Sequence, residues 1–232
     1  GIRAAQGGTA RRPCGGGIMN RTIGGRSEIH IVASPKKISL LGCVLAGGHS
    51  SRMGRDKALI RPFGPNGPTM LEHTFGLLQK LCGECVVTTS AGRAYPHFPC
   101  MFDEKPDLGP ISGIMGALVE ARKKACAGIF ALACDLPLMR LEILERLAAR
   151  QPGESCGIFF INPPDGKIQM LAGIYMQNAL PCLQKGIAGG KFGLYSALAR
   201  EDLILVPYDK SDAPVFFNCN SAEDLAYLSS LS

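Results

Sequence analysis

The chain of 232 residues has no tryptophan, and no apolar run in it approaches the roughly 18 residues needed to span a bilayer. Nowhere does a charged start, a long apolar run and a small-residue cleavage site follow one another as in a secretory signal. These absences exclude a membrane-spanning helix and predict a cytoplasmic protein. Gly-Lys-Ser/Thr is missing everywhere; Gly190-Lys191 is followed by Phe192, so there is no P-loop. The dinucleotide fingerprint G-x-G-x-x-G is also absent after the first clear apolar strand. Internal repeats are lacking too.

Charge is equally informative by where it is not. The net charge of +6 suggests a nucleic-acid partner until it is located. Residues 1–37 carry seven Lys/Arg against the single acid Glu28, and 38–232 carry 18 of each sign. The body therefore has no basic excess for a polyanion, and nucleic acid is excluded as a partner. The Gly- and Arg-rich stretch 1–37 reads as a disordered basic extension, with Met19 a candidate start and 29–33 a candidate short strand. Ten cysteines sit mostly inside apolar runs, as Cys43 and Cys134 do, and read as small core hydrophobes. Only Cys82 and Cys85 form a C-x-x-C. Without a second pair at suitable spacing a four-thiolate zinc site is excluded, though a redox or metal role for the pair stays open. No disulfides are expected in a reducing cytosol.

What is present is concentrated at 41–57, LGCVLAGGHSSRMGRDK. Residues 41–46 form a short apolar run that ends at Gly47-Gly48, as a buried parallel strand does. The glycines let backbone N–H groups approach a phosphate or base edge with no Cβ in the way. Arg52 and Lys57 follow with fixed positive charge where a triphosphate would lie. Asp56 either holds one of these cations or caps a turn, and His49 is a weaker candidate for phosphate contact.

The remaining pattern alternates strand and helix. Strands are predicted at 84–89, 100–102 and 128–134, with helices from Thr69 as N-cap to about 81, from 108 to about 124, and over 141–149. Beyond 150, strands at 155–161 and 168–175 flank the turn 162–166, and suggest an antiparallel excursion. Helices at 179–183 and 192–199, strands at 203–206 and 215–217, and a helix over 222–228 capped by Ser221 complete the reading. This predicts an α/β fold: a single doubly wound, mostly parallel sheet. One domain over 38–232 is expected, with a nucleotide-binding half at 38–150 and an acceptor-binding half at 151–232.

In such a sheet ligands bind beyond the carboxyl ends of the strands. The Gly47 loop, Asp103 and Asp135 all fall at such ends. Asp135 follows an apolar strand and precedes Leu136-Pro137, so its carboxylate is placed at the rim of the core. Mg²⁺ usually takes one or two protein carboxylates and fills its sphere with phosphate oxygens and water, which suits Asp135 as ligand.

The ordered set L-A-G-G-x-x-x-R-M-G-x-D-K, Gly109-Pro-Ile-Ser-Gly113, Ala133-Cys-Asp-Leu-Pro137 and Phe217-Asn-Cys-Asn-Ser-Ala-Glu-Asp-Leu225 resembles the molybdenum cofactor guanylyltransferases, over about residues 40–230. The resemblance implies GMP transfer from GTP to a molybdopterin-type cofactor, with molybdoenzymes or their maturation chaperones as partners. Carried over residue by residue, it implies nucleotide contacts at Leu45, Ala46, Gly47, Gly48, Lys57, Asp103 and Asp135. It implies catalytic roles for Arg52, Lys57 and Asp135, and Mg²⁺ on Asp135 with Asn218 or Asn220, the latter preferred. A family asparagine after the second strand falls at about Thr88 here, a departure from the pattern. The extension 1–37 has no counterpart. The alternatives are a cytidylyltransferase or another small-molecule nucleotidyltransferase, and a non-catalytic nucleotide-binding partner in molybdoenzyme maturation. LAGG in place of LAAG argues against the first, and the presence of Asp135 and Lys57 against the last.

Overall fold

The structure is a computed structural model. It describes residues 39–47, 56–103, 105–198 and 201–231, together with two short strands near the N-terminus. The chain divides into two units, 1–37 and 38–232. In the first, β1 (Thr22–Ile23) pairs antiparallel with β2 (Arg26–Ser27). The expected strand at 29–33 lies outside the described residues, as do Gly48, His49 and Arg52.

The second unit is built on a seven-stranded sheet. Its strands are β3 (Leu40–Leu45), β4 (Glu84–Ser90), β5 (Cys100–Asp103), β6 (Gly128–Ala133), β7 (Gly157–Ile161), β8 (Ile168–Met176) and β9 (Leu203–Pro207), in the spatial order β5-β4-β3-β6-β8-β7-β9. Only β8 runs against its neighbours, pairing antiparallel with β6 and β7; the other pairs are parallel. This is the mostly parallel α/β sheet with one antiparallel excursion that the sequence predicts. Among the described residues no helix is long and apolar enough to cross a membrane.

Buried apolar residues on both faces explain the near-continuous apolar strands. Along β3, Leu41, Cys43 and Leu45 face one layer while Val44 faces the other, and along β6 Ile129 and Ala131 alternate with Phe130 and Leu132. One layer holds α1 (Met70–Leu81) and, later in the chain, α3 (Leu141–Ala148). The opposite layer holds α2 (Pro110–Lys123), α4 (Ala179–Ala188) and α5 (Leu194–Leu198). Helix α6 (Ala222–Ser229) buries Leu228 against Met70 and Cys219 beside the start of α1.

Local chemistry sets the helix ends. Thr69 and Glu72 form a reciprocal capping box at α1, worth about 1 kcal/mol, and Ser221 with Asp224 does the same at α6. The expected strand at 215–217 is instead a 3₁₀ turn over Ala213–Phe216. Pro214 has no N–H to give a ladder and its ring fixes φ, while Val215 N–H donates to Asp212 and Phe217 N–H to Pro214 within the turn. Helix α4 runs five residues further than the reading of 179–183. Pro181 falls in its first turn, where an N–H has no intrahelical partner to lose.

The antiparallel pairing of β8 demands closeness at Gly128, where an added Cβ would lie 2.2 Å from the Tyr175 carbonyl oxygen and 3.0 Å from Met176 Cα. Both obstacles are backbone, so they cannot rotate aside. Gly128→Ala is expected to cost about 1–3 kcal/mol in urea unfolding. Gly83→Ala, which meets nothing within 4 Å, should stay within about 0.5 kcal/mol of the parent. Equal stabilities for the two variants would contradict the close approach.

Candidate active site

Strands β3, β4 and β5 follow one another outward from the centre of the sheet, and β6 then returns to the other side of β3. That reversal opens a crevice at the carboxyl ends, between the crossovers that leave β3 and β6 in opposite directions. Register brings Leu45 beside Ala133, so Gly47 and Asp135, each two residues further on, emerge together. A cavity of about 250 Å³ lies there. It falls just under the roughly 300–1,000 Å³ usual for small-molecule sites.

Leu45, Ala46, Gly47, Lys57, Asp103 and Asp135, all singled out from sequence, line this one cavity. Gly48 and Arg52 lie outside the described residues. Asn220 reaches the site from the far end of the chain. The Lys57 ammonium donates to Asp135 Oδ2 at 3.2 Å and to Asn220 Oδ1 at 2.7 Å. Asn218, the other asparagine of the motif, turns away and donates to the Phe216 carbonyl.

Backbone bonds hold these groups in register. Cys219 N–H donates to the Asp135 carbonyl at 2.9 Å, which ties the C-terminal segment to the end of β6. The Asp224 carboxylate then accepts from the N–H groups of both Asn220 and Ser221. Those bonds hold Asp224 ionised below the usual carboxylate range, led by the Asn220 N–H. Asn220 is thus fixed by the cap of α6 on one side and by β6 on the other.

Lys57 is placed by Asp56. Asp56 Oδ1 accepts from Ala58 N–H, which caps the short turn Lys57–Leu59. Its Oδ2 accepts from the Tyr95 hydroxyl at 3.0 Å and lies 3.6 Å from Arg93 Nε. Burial, and then the charge of Asp56, push the Tyr95 phenol well above its ordinary value, so it stays a donor. Of the two roles open to Asp56 in the sequence, turn cap is the one the geometry displays. Tyr95 and Arg93 carried no sequence signal, because their meeting with Asp56 is a tertiary event.

Asp103 ends β5, and its Oδ1 accepts from Ser112 Oγ at 2.5 Å and from Lys105 N–H at 2.9 Å. The G-P-x-x-G motif acquires a mechanical meaning here. Gly109 takes φ 67°, a left-handed conformation that favours glycine, and Pro110 occupies the first helical turn. A Cβ on Gly113 would meet Thr88 Oγ1 at 3.1 Å, so a glycine lets α2 settle against β4 at the cavity wall. Thr88, at the position of the family asparagine, spends its hydroxyl on the Val44 carbonyl. Thr89, Ser90, Cys134 and Leu171 complete the wall and were not picked out as site residues. Cys134 is no nucleophile: burial first, then the neighbouring Asp135, push its thiol up to about 12.

Chemically, the described cavity wall carries three carboxylates, Asp56, Asp103 and Asp135, and one lysine, Lys57. Among the described residues, Asp135 Oδ1 is buried without a hydrogen-bond partner, and Oδ2 is held by an ammonium. A buried carboxylate oxygen that accepts nothing is costly unless a cation or donor meets it. Lys57→Ala removes the cation that holds the other oxygen, Oδ2. Nucleoside triphosphate affinity, measured by calorimetry, is expected to fall about tenfold or more with the fold intact. Unchanged affinity would remove Lys57 from the site.

Comparison with known proteins agrees with this arrangement. Residues 42–229 match the family model of the MobA-like NTP transferase domain. The chain is 30% identical over 194 residues to a probable molybdenum cofactor guanylyltransferase of Mycobacterium tuberculosis, covering 83% of this chain and 94% of that protein. Its fold is shared by molybdopterin-guanine dinucleotide biosynthesis protein A from Archaeoglobus fulgidus, with TM-score 0.64, 20% identity, and coverage of 83% and 98% of the two chains. The fold is shared as well by M. tuberculosis Rv0371c, solved in complex with manganese, with TM-score 0.56, 16% identity, and coverage of 84% and 100%. With a cavity at the sheet's switch point and a family match across the whole sheet, the chain belongs to the MobA-like NTP transferase family and is a nucleotidyltransferase.

Proposed function

We propose that the protein transfers GMP from GTP to the phosphate of a molybdopterin-type cofactor and releases pyrophosphate. Two supports stand behind this reading: the guanylyltransferase relatives, and the Lys57–Asp135–Asn220 constellation at the mouth of the cavity. The second is the observation that carries the chemistry.

An acceptor phosphate is already an anionic nucleophile near neutral pH, so no general base is needed. Its oxygen forms the new bond to the α-phosphorus of GTP while the α–β bridging bond breaks in line with it. The electron pair leaves with pyrophosphate, and no proton has to move in that step. The barrier is then charge repulsion and alignment. Lys57 lowers it by neutralising charge that grows on the leaving pyrophosphate. Backbone groups of Leu45–Gly47 and the wall formed by Thr88, Asp103 and Gly113 enclose and orient the nucleoside.

The donor set fits a hard divalent cation. Among the described residues, Asp135 Oδ1 is buried and unpartnered, and Asn220 offers a neutral oxygen to the same lysine that Asp135 Oδ2 meets. Asp135 and Asn220 would hold such an ion, Mg²⁺ in this reading, which when bound supplies positive charge to the triphosphate oxygens. Lys57 holds the Asn220 oxygen and the other Asp135 oxygen, Oδ2. Cation and lysine therefore compete for the Asn220 oxygen, and a lysine released from it is free to take a phosphate.

Residues 38–150 supply nearly all of the nucleotide-facing wall, and 151–232 form the acceptor half in this scheme. GTP and the molybdopterin-type phosphate are the substrates, with molybdoenzymes or their maturation chaperones as recipients of the product. A cytoplasmic location belongs to the same reading.

Pyrophosphate release should be measured with Mg²⁺, a molybdopterin-type acceptor and each of the four NTPs. Release is expected with GTP, and Asp135→Asn should reduce it by about a hundredfold or more while melting near the parent temperature. Release with CTP and not GTP would replace the guanylyltransferase assignment with the cytidylyl one. Wild-type rates in Asp135→Asn would overturn the site.

A further inference from the structure

A second set of metal-type donors lies at the opposite end of the sheet from the nucleotide cavity. Strands β6 and β7 both run against β8, and both begin at the same edge: Gly128 registers with Met176 and Gly157 with Tyr175. Cys156 immediately precedes that start of β7, whereas Asp135 follows the other end of β6. Cys182 lies on α4, and Glu201 in the connection from α5 to β9. One donor atom from each of the three falls within 4.8 Å of the other two. Among the described residues, no other set of three His, Cys, Asp or Glu groups meets this closely.

The backbone around them is anchored. Cys156 N–H donates to the Asp202 carbonyl at 2.8 Å, and Met176 N–H donates to the Cys156 carbonyl at 2.9 Å. Glu201 N–H donates to Leu198 at 2.9 Å, which closes the end of α5. Three elements remote in sequence are therefore brought together at one place.

The two sulfur atoms are 3.9 Å apart. Two thiolates on one tetrahedral ion, at about 2.3 Å each, must lie about 3.8 Å from one another. The pair thus needs almost no movement to bind a metal. A disulfide, with its bond of about 2.05 Å, would require the two sulfurs to close by nearly 2 Å. A carboxylate beside two thiols also favours a cation over an oxidised pair, since it repels thiolate unless positive charge arrives.

We propose that Cys156, Cys182 and Glu201 form a structural site for a thiophilic divalent cation of the zinc type, which clamps α4 and the α5–β9 connection to the start of β7. Two sulfurs and one oxygen suit a borderline-soft ion, and solvent takes the fourth position. Without metal both thiols remain protonated: burial, then Cys156 and Glu201, push Cys182 up to about 12, and burial chiefly raises Cys156. Binding one ion replaces two thiol protons, which are released to solvent. The site is independent of the transfer reaction, and no residue of it lines the nucleotide cavity.

The test uses the full chain, reduced and stripped of metal, titrated with Co²⁺ alone and with Zn²⁺ alone. One Co²⁺ per chain is expected, with thiolate-to-cobalt charge-transfer absorption, displacement by Zn²⁺, release of two protons and a rise in Tm on adding Zn²⁺. Cys182→Ser, at a half-buried position that tolerates a hydroxyl, should lose both the absorption band and the Tm rise. Glu201→Gln should keep both thiolates and bind about 10- to 100-fold more weakly. Absence of the band in the parent would overturn the proposal. So would a band that survives Cys182→Ser and disappears in Cys82→Ser, which would move the metal to the C-x-x-C. Formation of a Cys156–Cys182 disulfide under mild oxidation, without metal uptake by the reduced protein, would overturn it in favour of a redox pair.

Discussion

The parallel pairing of β3 with β6 is the constraint on which the molecule is organised. Leu45 lies beside Ala133, so each strand delivers its last residues to the same rim. Because β4 and β5 continue to one side and β6 returns to the other, a crevice opens at the rim. Gly47, Asp103 and Asp135 each reach that crevice within two residues of a strand's end. Apolar burial on both faces of β3 and β6 makes this placement rigid, and functional geometry therefore follows from core packing.

Charge within the crevice is balanced by parts of the chain far from one another. Lys57 pairs with Asp135 and Asn220, which come 78 and 163 residues later. Side chains about one-fifth exposed are neither free in water nor fully desolvated. The pair is thus held in place but remains exchangeable, as a substrate site requires. Asp56 contributes from behind by capping the turn that carries Lys57, with Tyr95 and Arg93 holding its other oxygen. Acidic and basic groups in this cluster thus hold one another in place.

The second half of the sheet obeys a different rule. Strand β8 reverses direction, which requires a close approach at Gly128 and sets β7 and β9 beyond it. This half supplies Leu171 to the cavity wall and Asn220 to its mouth. At the opposite edge it gathers two thiols and a carboxylate from three separate elements. The two ends of the sheet therefore carry donor sets of different chemistry: hard oxygens at one, sulfur-rich at the other.

Much of this was legible in the sequence. Short apolar runs, the glycine punctuation and the capping box at Thr69 determined which segments became strands and helices, because those signals depend on neighbours a few residues away. The strand at 215–217 failed because Pro214 favoured a local turn over a ladder. Candidate carboxylates at strand ends were readable for the same reason: a strand's end is a local feature. Tertiary structure alone decided which of Asn218 and Asn220 meets Lys57, that Asp56 is a cap, and that Thr88 spends its hydroxyl inside the core. It alone joined Cys156, Cys182 and Glu201, whose sequence spacing matches no metal motif. Those outcomes depend on distances set by crossovers and sheet order, and no local pattern of residues encodes a distance across the fold.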